Sequence, residues 1–183
     1  MILPDCVLFP HGSMPLHIFE PRYREMLSDA LKGDCIFAIV NRPSGEERAC
    51  QIGTIGLIRA SKEDSDGTSN LLLHGFLRVR IDEWLDDRLY PRARITPLTF
   101  ELEIDQEQTK QMTGLRKKID RLLRGTPPEV RDGMAGLLDR SDHPHVFADV
   151  VAQHFLHEPR ERQRLLETND GAERLKRLSE LLA

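Results

Sequence analysis

Met14-Pro15-Leu16-His17-Ile18-Phe19-Glu20-Pro21-Arg22-Tyr23-Arg24 turns the chain from an extended segment into a helix within a few residues. Leu16, Ile18 and Phe19 are apolar, with His17 between them, and read as extended. Pro21 suits the first helical turn, where its missing N–H would be unpaired anyway. Beyond it, Tyr23, Met26, Leu27, Ala30 and Leu31 recur at helical spacing, and Gly33 is placed to stop the helix. The stretch holds no phosphate loop, no nucleophile beside a base and no metal-ligand spacing. It reads as an architectural corner, and the chain as a binding module.

On either side of this corner the chain is rich in strands. Ile2 to Phe9 reads as a strand buried on both faces, and Pro10-His11-Gly12-Ser13 as a loop. Cys35 to Val40 is a second buried strand. Ile52 to Ala60 carries Gly53 and Gly56, which suggest a bulge or a close backbone approach. Asp66-Gly67 is a hairpin signal. Leu71 to Ile81 follows as a strand interrupted at Gly75, after which Leu77, Val79 and Ile81 alternate with Arg78 and Arg80 as a buried and a wet face. Tyr90 to Leu98 alternates Ala93 and Ile95 against Arg92 and Arg94.

Near Asp105 the character changes. Met112, Leu115, Ile119, Leu122 and Leu123 mark an amphipathic helix over about residues 106–124. Thr126 is placed to cap a helix from Pro127 to about Leu138, and a further helix runs from Pro144 to about Leu156. Glu158-Pro159 starts a short helix, and Ala172, Leu175, Leu178, Leu181 and Leu182 complete a terminal one.

Composition sets outer bounds. The chain has 183 residues, 39% of them hydrophobic and 31% charged, as in a globular protein. A formal net charge of −4 disfavours nucleic acid as a partner. Cys6, Cys35 and Cys50 are odd in number and lack C-x-x-C spacing, so free thiols are expected, with Cys35 as a small core residue. The sequence shows no signal-peptide pattern and nothing approaching the roughly 20 apolar residues of a membrane helix. A cytoplasmic protein without membrane partners is expected.

Taken together, the order of features resembles the amino-terminal, substrate-binding domain of the Lon protease family. The matching residues are Leu8-Phe9-Pro10, Pro15-Leu16-His17-Ile18-Phe19-Glu20-Pro21-Arg22-Tyr23, Ile52-Gly53-Thr54-Ile55-Gly56, and Gly75 followed by Arg78-Val79-Arg80-Ile81. Ala148-Asp149-Val150-Val151-Ala152 and Glu173-Arg174-Leu175 are similar to the family's helical segment. The resemblance implies an α+β protein, with a β-rich PUA-like pseudo-barrel lobe and one early helix at 1–100, then an all-α lobe at 101–183. It also implies recognition of unfolded or specific protein or peptide clients. Lon proteases continue into an ATPase and a peptidase domain. These 183 residues contain no G-x-x-x-x-G-K-[ST] loop and no counterpart of the serine–lysine dyad. The expectation is a non-catalytic bacterial Lon-domain protein acting as adaptor, weak chaperone or protease regulator, with no cofactor. The alternative is a small-molecule sensor with a pocket in the β lobe or between the lobes.

The expected contact residues are Pro10, His11, Met14 and Pro15 of the first loop, together with Phe76. Met14 is flexible and polarizable enough to suit varied partners, unless it folds back as a core plug. Glu20, Arg22, Tyr23 and Arg24 read as structural, with Tyr23 facing the core and an arginine tying helix to sheet. His143, His145, His154 and His157 lack a recognised ligand pattern, so no metal is expected. Alternating Arg78, Arg80, Arg92 and Arg94 near Phe76 and Trp84 read as a solvated face more readily than as an RNA surface, because Asp82, Glu83, Asp86 and Asp87 offset them. Ser13 lies near His11 and His17 only in sequence, which is no basis for catalysis.

Overall fold

A single long strand organises the first part of the chain. The computed structural model describes residues 1–100 and 103–182. The elements of the first unit are β1 (Ile2–Pro4), β2 (Ser13–Ile18), α1 (Pro21–Lys32), β3 (Ile36–Arg42), β4 (Ile52–Glu63), β5 (Ser69–Leu85) and β6 (Arg92–Pro97). The sheet runs β1-β3-β4-β5-β2, and β6 also pairs with β5. β1 and β3 are parallel and the other pairs antiparallel. β5 serves these three partners with two edges, β4 on one and β2 then β6 on the other. Its first half carries β2 (Leu16 opposite Leu71), and its second half carries β6 (Ile81 opposite Ile95). Register shifts at Ile55/Gly56, Ile58/Ala60 and Ile81/Glu83 supply the bends.

The core of this unit gathers Leu8, Ile18, Tyr23, Met26, Leu27, Ile39, Leu71 and Leu73. Tyr23 and Met26 therefore face inward from α1, as their spacing predicts. The hydrogen-bonded tie between helix and sheet is made by Tyr23, while the Arg24 guanidinium of α1 lies against Gly67 in the turn between β4 and β5. The Tyr23 hydroxyl donates to the Ile2 carbonyl at 2.9 Å and accepts from the Ile2 N–H at 3.3 Å. Arg22 stays outside, paired with Glu20 at 2.7 Å.

The expected strand over Ile2–Phe9 is shorter than its apolar run. It stops at Pro4, Asp5 takes a positive φ of 50°, and Val7, Leu8 and Phe9 lie buried without a ladder. Side chains meet part of the backbone demand instead. The Thr54 hydroxyl donates to the Leu8 carbonyl at 2.6 Å, and the Cys6 N–H donates to Asn41 Oδ1 at 3.1 Å. Cys35 is likewise outside its expected strand, half-buried in the turn after α1 with a φ of 58°.

Arg78 is not on a wet face, being 3% exposed, while Arg80 is exposed. Successive side chains on a strand point to opposite faces, so buried Arg78 beside buried Val79 means that both faces of β5 are covered there.

The second unit, Phe100–Ala183, is helical over its described residues. The expected first residue of this lobe, 101, lies outside the described residues. The helices are α2 (Gln106–Leu122, followed by a 3-10 turn), α3 (Pro128–Asp139), α4 (Pro144–Phe155), α5 (Pro159–Glu167) and α6 (Gly171–Leu181). Asp105 and Gln108 form a reciprocal capping box at the start of α2. Thr126 does not cap α3. Its hydroxyl donates to the Leu123 carbonyl at 2.8 Å and Pro127 is the cap residue. Leu115, Ile119, Phe147, Val151, Leu165, Leu175 and Leu178 build the core.

Inside that core sits an ion pair. Arg174 on α6 is fully buried and donates to Asp149 on α4, and also to the carbonyls of Leu165 at 3.2 Å and His145 at 3.3 Å. Asp149→Leu leaves the guanidinium buried without its anion, so the unfolding free energy in urea should fall by about 3–5 kcal/mol. Adding Arg174→Met should recover most of that loss.

Glycine at 75 is a steric requirement, because a Cβ there would collide with the Phe9 carbonyl oxygen. Gly114 in α2 has open space around it. Gly75→Ala should lower stability by about 1–3 kcal/mol through overpacking. Gly114→Ala should raise it by about 0.5–1 kcal/mol through helix propensity. Thermal melts of the two variants check both signs.

Candidate functional site

The expected contact residues of the first loop do come together with Phe76, by way of the backbone. The His11 N–H donates to the Gly75 carbonyl at 2.9 Å, and the Gly75 N–H donates to the Gly12 carbonyl at 2.8 Å. These two bonds dock the loop beside Phe76, which is 67% exposed. They also hold His11 at a φ of 63°, a left-handed conformation that a non-glycine residue adopts only when its surroundings impose it.

The side chains then diverge. His11 is exposed and Pro10 is buried. Met14 and Pro15 belong to β2, opposite Leu73 and Leu72, and not to the loop. Pro15 is exposed on this terminal strand of the sheet, where a missing N–H costs nothing. Met14 is half-buried against the core, with its sulfur 3.6 Å from Cys6 Sγ. It resembles the core plug more than an offered side chain. The outer face of β2 and β5 is tied by polar contacts, Ser13 Oγ to His74 Nδ1 at 3.2 Å and His17 Nδ1 to Asn70 Oδ1 at 3.0 Å.

A larger concave feature lies on the other side of the β unit. A cleft of about 510 Å³ opens between α1 and the inner face of β3, β5 and β6. Its apolar lining includes Ile36, Phe37, Ile81, Trp84, Ala93 and Ile95. Ala93 and Ile95 form one face of β6, as the alternation with Arg92 and Arg94 predicts, but that face is not sealed into a core. Ile36, Trp84 and Ile95 are 41%, 44% and 38% exposed. Apolar side chains this exposed along a cleft mark an open groove, which is how contact sites differ from scattered surface apolar residues.

The rim is polar and mainly acidic. Asp29 and Asp34 line the α1 side. The Tyr90 hydroxyl donates to Asp29 at 2.7 Å, and burial together with this bond pushes the Tyr90 phenol up from its ordinary value. Arg92 on the opposite rim is held by Asp87 at 2.5 Å. The sequence suggests a pocket in the β lobe only as part of the small-molecule alternative, and it does not bring Trp84 and Ile95 together with α1 in this groove. No pattern in the chain records that the inner face of β6 stays uncovered.

The remaining candidates are structural. Arg80 pairs with Asp82 at 2.8 Å and Arg94 with Glu83 at 3.3 Å, so the β5–β6 arginines present ion pairs and not a bare basic surface. His143 and His145 stack on one another at 5.6 Å, and Phe100 stacks on His145 at 4.6 Å and meets His143 tilted at 4.9 Å. His154 and His157 are exposed on α4 and the turn after it. Among the described residues, no three His, Cys, Asp or Glu side chains are grouped so as to hold a metal ion. No helix among them is long and apolar enough to cross a membrane.

Comparison with known proteins agrees with this architecture. The model of the ATP-dependent protease La (LON) substrate-binding domain matches residues 1–183. The Lon protease of Desulfosudis oleivorans is 26% identical over 189 residues, covering 100% of this chain and 23% of the protease. Lon protease 2 of Myxococcus xanthus is 27% identical over 190 residues, covering 99% of this chain and again 23% of the relative. The chain thus spans about a quarter of the length of these curated relatives. Among solved structures, the N-terminal domain of Mycobacterium avium complex Lon protease superposes with a TM-score of 0.78 at 20% identity, covering 100% of this chain and 95% of the other. The Lon N-terminal domain protein from Xanthomonas campestris gives 0.70 at 21% identity, covering 98% and 95%. At those identities the likeness is one of fold.

His74 offers a local test of this geometry. Burial, then the neighbouring His11 and Arg59, hold its imidazole below the ordinary histidine value. The native state therefore binds this proton less readily than the unfolded chain does, and stability is lost as pH falls from that ordinary value through the lowered one. In an NMR titration the His74 midpoint should lie below that of an unstructured histidine peptide. His11→Ala should move it upward.

Proposed function

Because the chain belongs to the ATP-dependent protease La (LON) substrate-binding domain family, we propose that it is a non-catalytic protein-recognition module whose β unit captures apolar segments of protein clients. The observation that carries this reading is the open apolar groove beside Trp84. Its volume of about 510 Å³ falls within the range of ligand sites, and its lining is apolar with a few polar groups at the rim. Removing the exposed parts of Ile36, Trp84 and Ile95 from water supplies the driving force. An open trough suits a chain segment better than an enclosed small molecule.

The face bearing His11, Pro15 and Phe76 is a second contact area of the same module. Adaptor, chaperone and protease-regulator roles all require such capture, and the client's fate separates them.

Trp84 is the one tryptophan of the chain, so the groove carries its own reporter. Titration with a permanently unfolded protein, such as reduced and carboxymethylated lactalbumin labelled for anisotropy, should give saturable binding. Trp84→Asp should weaken it by about tenfold or more, as loss of a buried aromatic anchor does. Met14→Asp and Phe76→Asp test the second face, and a smaller loss there than at Trp84 is expected. Undiminished binding in the Trp84 variant would remove the groove from the proposal.

A further inference from the structure

The groove is bordered by strand edges as well as by apolar side chains. Hydrogen-bond phase shows which backbone groups face it. The Leu98 N–H donates to the Arg78 carbonyl at 2.9 Å, so Leu98, and Thr96 two residues before it, bond toward β5. Ile95 lies between these phases, and its N–H and C=O point to the opposite edge of β6. Ile81, across from Ile95, sends its own N–H the other way, to the Gln51 carbonyl at 2.7 Å. Among the described residues, β6 pairs with β5 alone.

The facing lip has a matching property. The Ala38 carbonyl accepts from the Met1 nitrogen at 2.6 Å, and the Val40 N–H donates to the Met1 carbonyl at 3.0 Å. Ala38 and Val40 therefore face the β1 side of β3. Ile36 is the next residue in that phase, and it lies beyond the register of β1, which begins with Ile2 opposite Val40. Ile36 and Ile95 both line the groove. Each presents an edge-facing backbone pair as well as a partly exposed apolar side chain.

Resting on the recognition reading above, we infer that the groove takes its client as an added β-strand along the open edge of β6, and that it selects an extended apolar segment carrying a basic residue. Main-chain hydrogen bonds to Ile95 supply sequence-tolerant affinity, and alternate client side chains enter the trough beside Trp84 and Ile36. The basic preference follows from charge at the rim. Asp29 and Asp34 stand on the α1 side, while the Arg92 guanidinium is already paired with Asp87 and the Met1 amino group is turned onto the Ala38 carbonyl. A client lysine or arginine thus meets the Asp34 carboxylate, with Asp29 and its Tyr90 partner beside it, and an acidic client meets repulsion. Strand addition also accounts for the exposure of the apolar face of β6, whose alternation is that of a covered strand.

The test uses a fluorescein-labelled octapeptide of alternating valine and threonine with one lysine, read by anisotropy on the full chain. Binding is expected, with a blue shift of the Trp84 emission. N-methylation of backbone nitrogens on one alternating set should weaken it about tenfold, the effect of losing hydrogen bonds that only an added strand makes. Methylation of the other set should change it less than about twofold, since those nitrogens face away from β6. Replacing the lysine with glutamate should weaken binding, and Asp34→Lys should reverse that order of preference. Equal binding of all methylated peptides would overturn strand addition and leave apolar capture standing. Binding of unfolded lactalbumin without binding of the octapeptide would also overturn it. Failure of both ligands would remove the recognition reading and the strand mode with it. Concentration-dependent dimerisation abolished by Ile95→Lys would assign the groove to a second copy of the chain, against the inference.

Discussion

Seventeen residues of β5 have to hydrogen-bond three other strands. Everything else in the β unit follows from meeting that demand with two edges. A straight strand offers one partner on each side. A third fits here because β5 is long enough to hand one edge from β2, opposite residues 69–74, to β6, opposite residues 79–85. Gly75 sits near that handover, opposite Gly56, where the register with β4 slips. The absence of a side chain lets Phe9 and the Pro10–Gly12 loop press onto β5 at the break, and the two backbone bonds to Gly75 replace part of the ladder that the bulge gives up. The loop is therefore a structural plug whose outer surface is free for contact, which is why its side chains divide between buried Pro10 and exposed His11.

The helical unit is specified differently. Its centre is a charge pair where an all-apolar core would serve. Desolvating a guanidinium and a carboxylate costs several kcal/mol per ion, which their attraction offsets only when the remaining donors are also satisfied. Arg174 meets that condition through the Leu165 and His145 carbonyls, drawing α4, α5 and α6 onto one side chain. The pair thus adds little net stability over a well-packed apolar replacement and fixes which helices meet. A one-turn slip of α6 would bury the charge without its partners, at a cost comparable to the stability of a small domain.

Much of this was legible in the chain. The strand-to-helix corner at Pro21 lies where its proline puts it, and the period of α2 and the strand content before Asp105 follow from local pattern. What escaped were features that depend on residues far apart. Val7 to Phe9 have strand composition but no free edge to pair with, so their burial survives and their ladder does not. Arg78 has the alternation of a wet face, yet β5 is covered on both sides at that point. Asp149 and Arg174 lie in two short motifs with 24 residues between them, and neither motif announces the other. The groove was least legible of all. Ala93 and Ile95 alternate as a strand with one dry face should, and sequence records that a face is apolar without recording whether anything covers it.

That uncovered face and the curl of β5 have one origin. A sheet that bends toward a barrel removes its edges only if the last strands meet. Here β6 joins the second half of β5, while β3 lies on the far side of β4 and is shared with β1, so β6 and β3 form no pair. The gap between them leaves an apolar interior open to water. Exposed edges are hazards that proteins blunt with charge, proline or short strands, and β6 carries all three, with Arg92 and Arg94, Pro97 and a length of six residues. Those devices oppose uncontrolled pairing without filling the trough at Ile95 and Trp84. An edge that alternates arginine with Ala93 and Ile95 and ends on proline favours short, reversible contacts over indefinite ones, which is the property that the proposed capture of client segments would need.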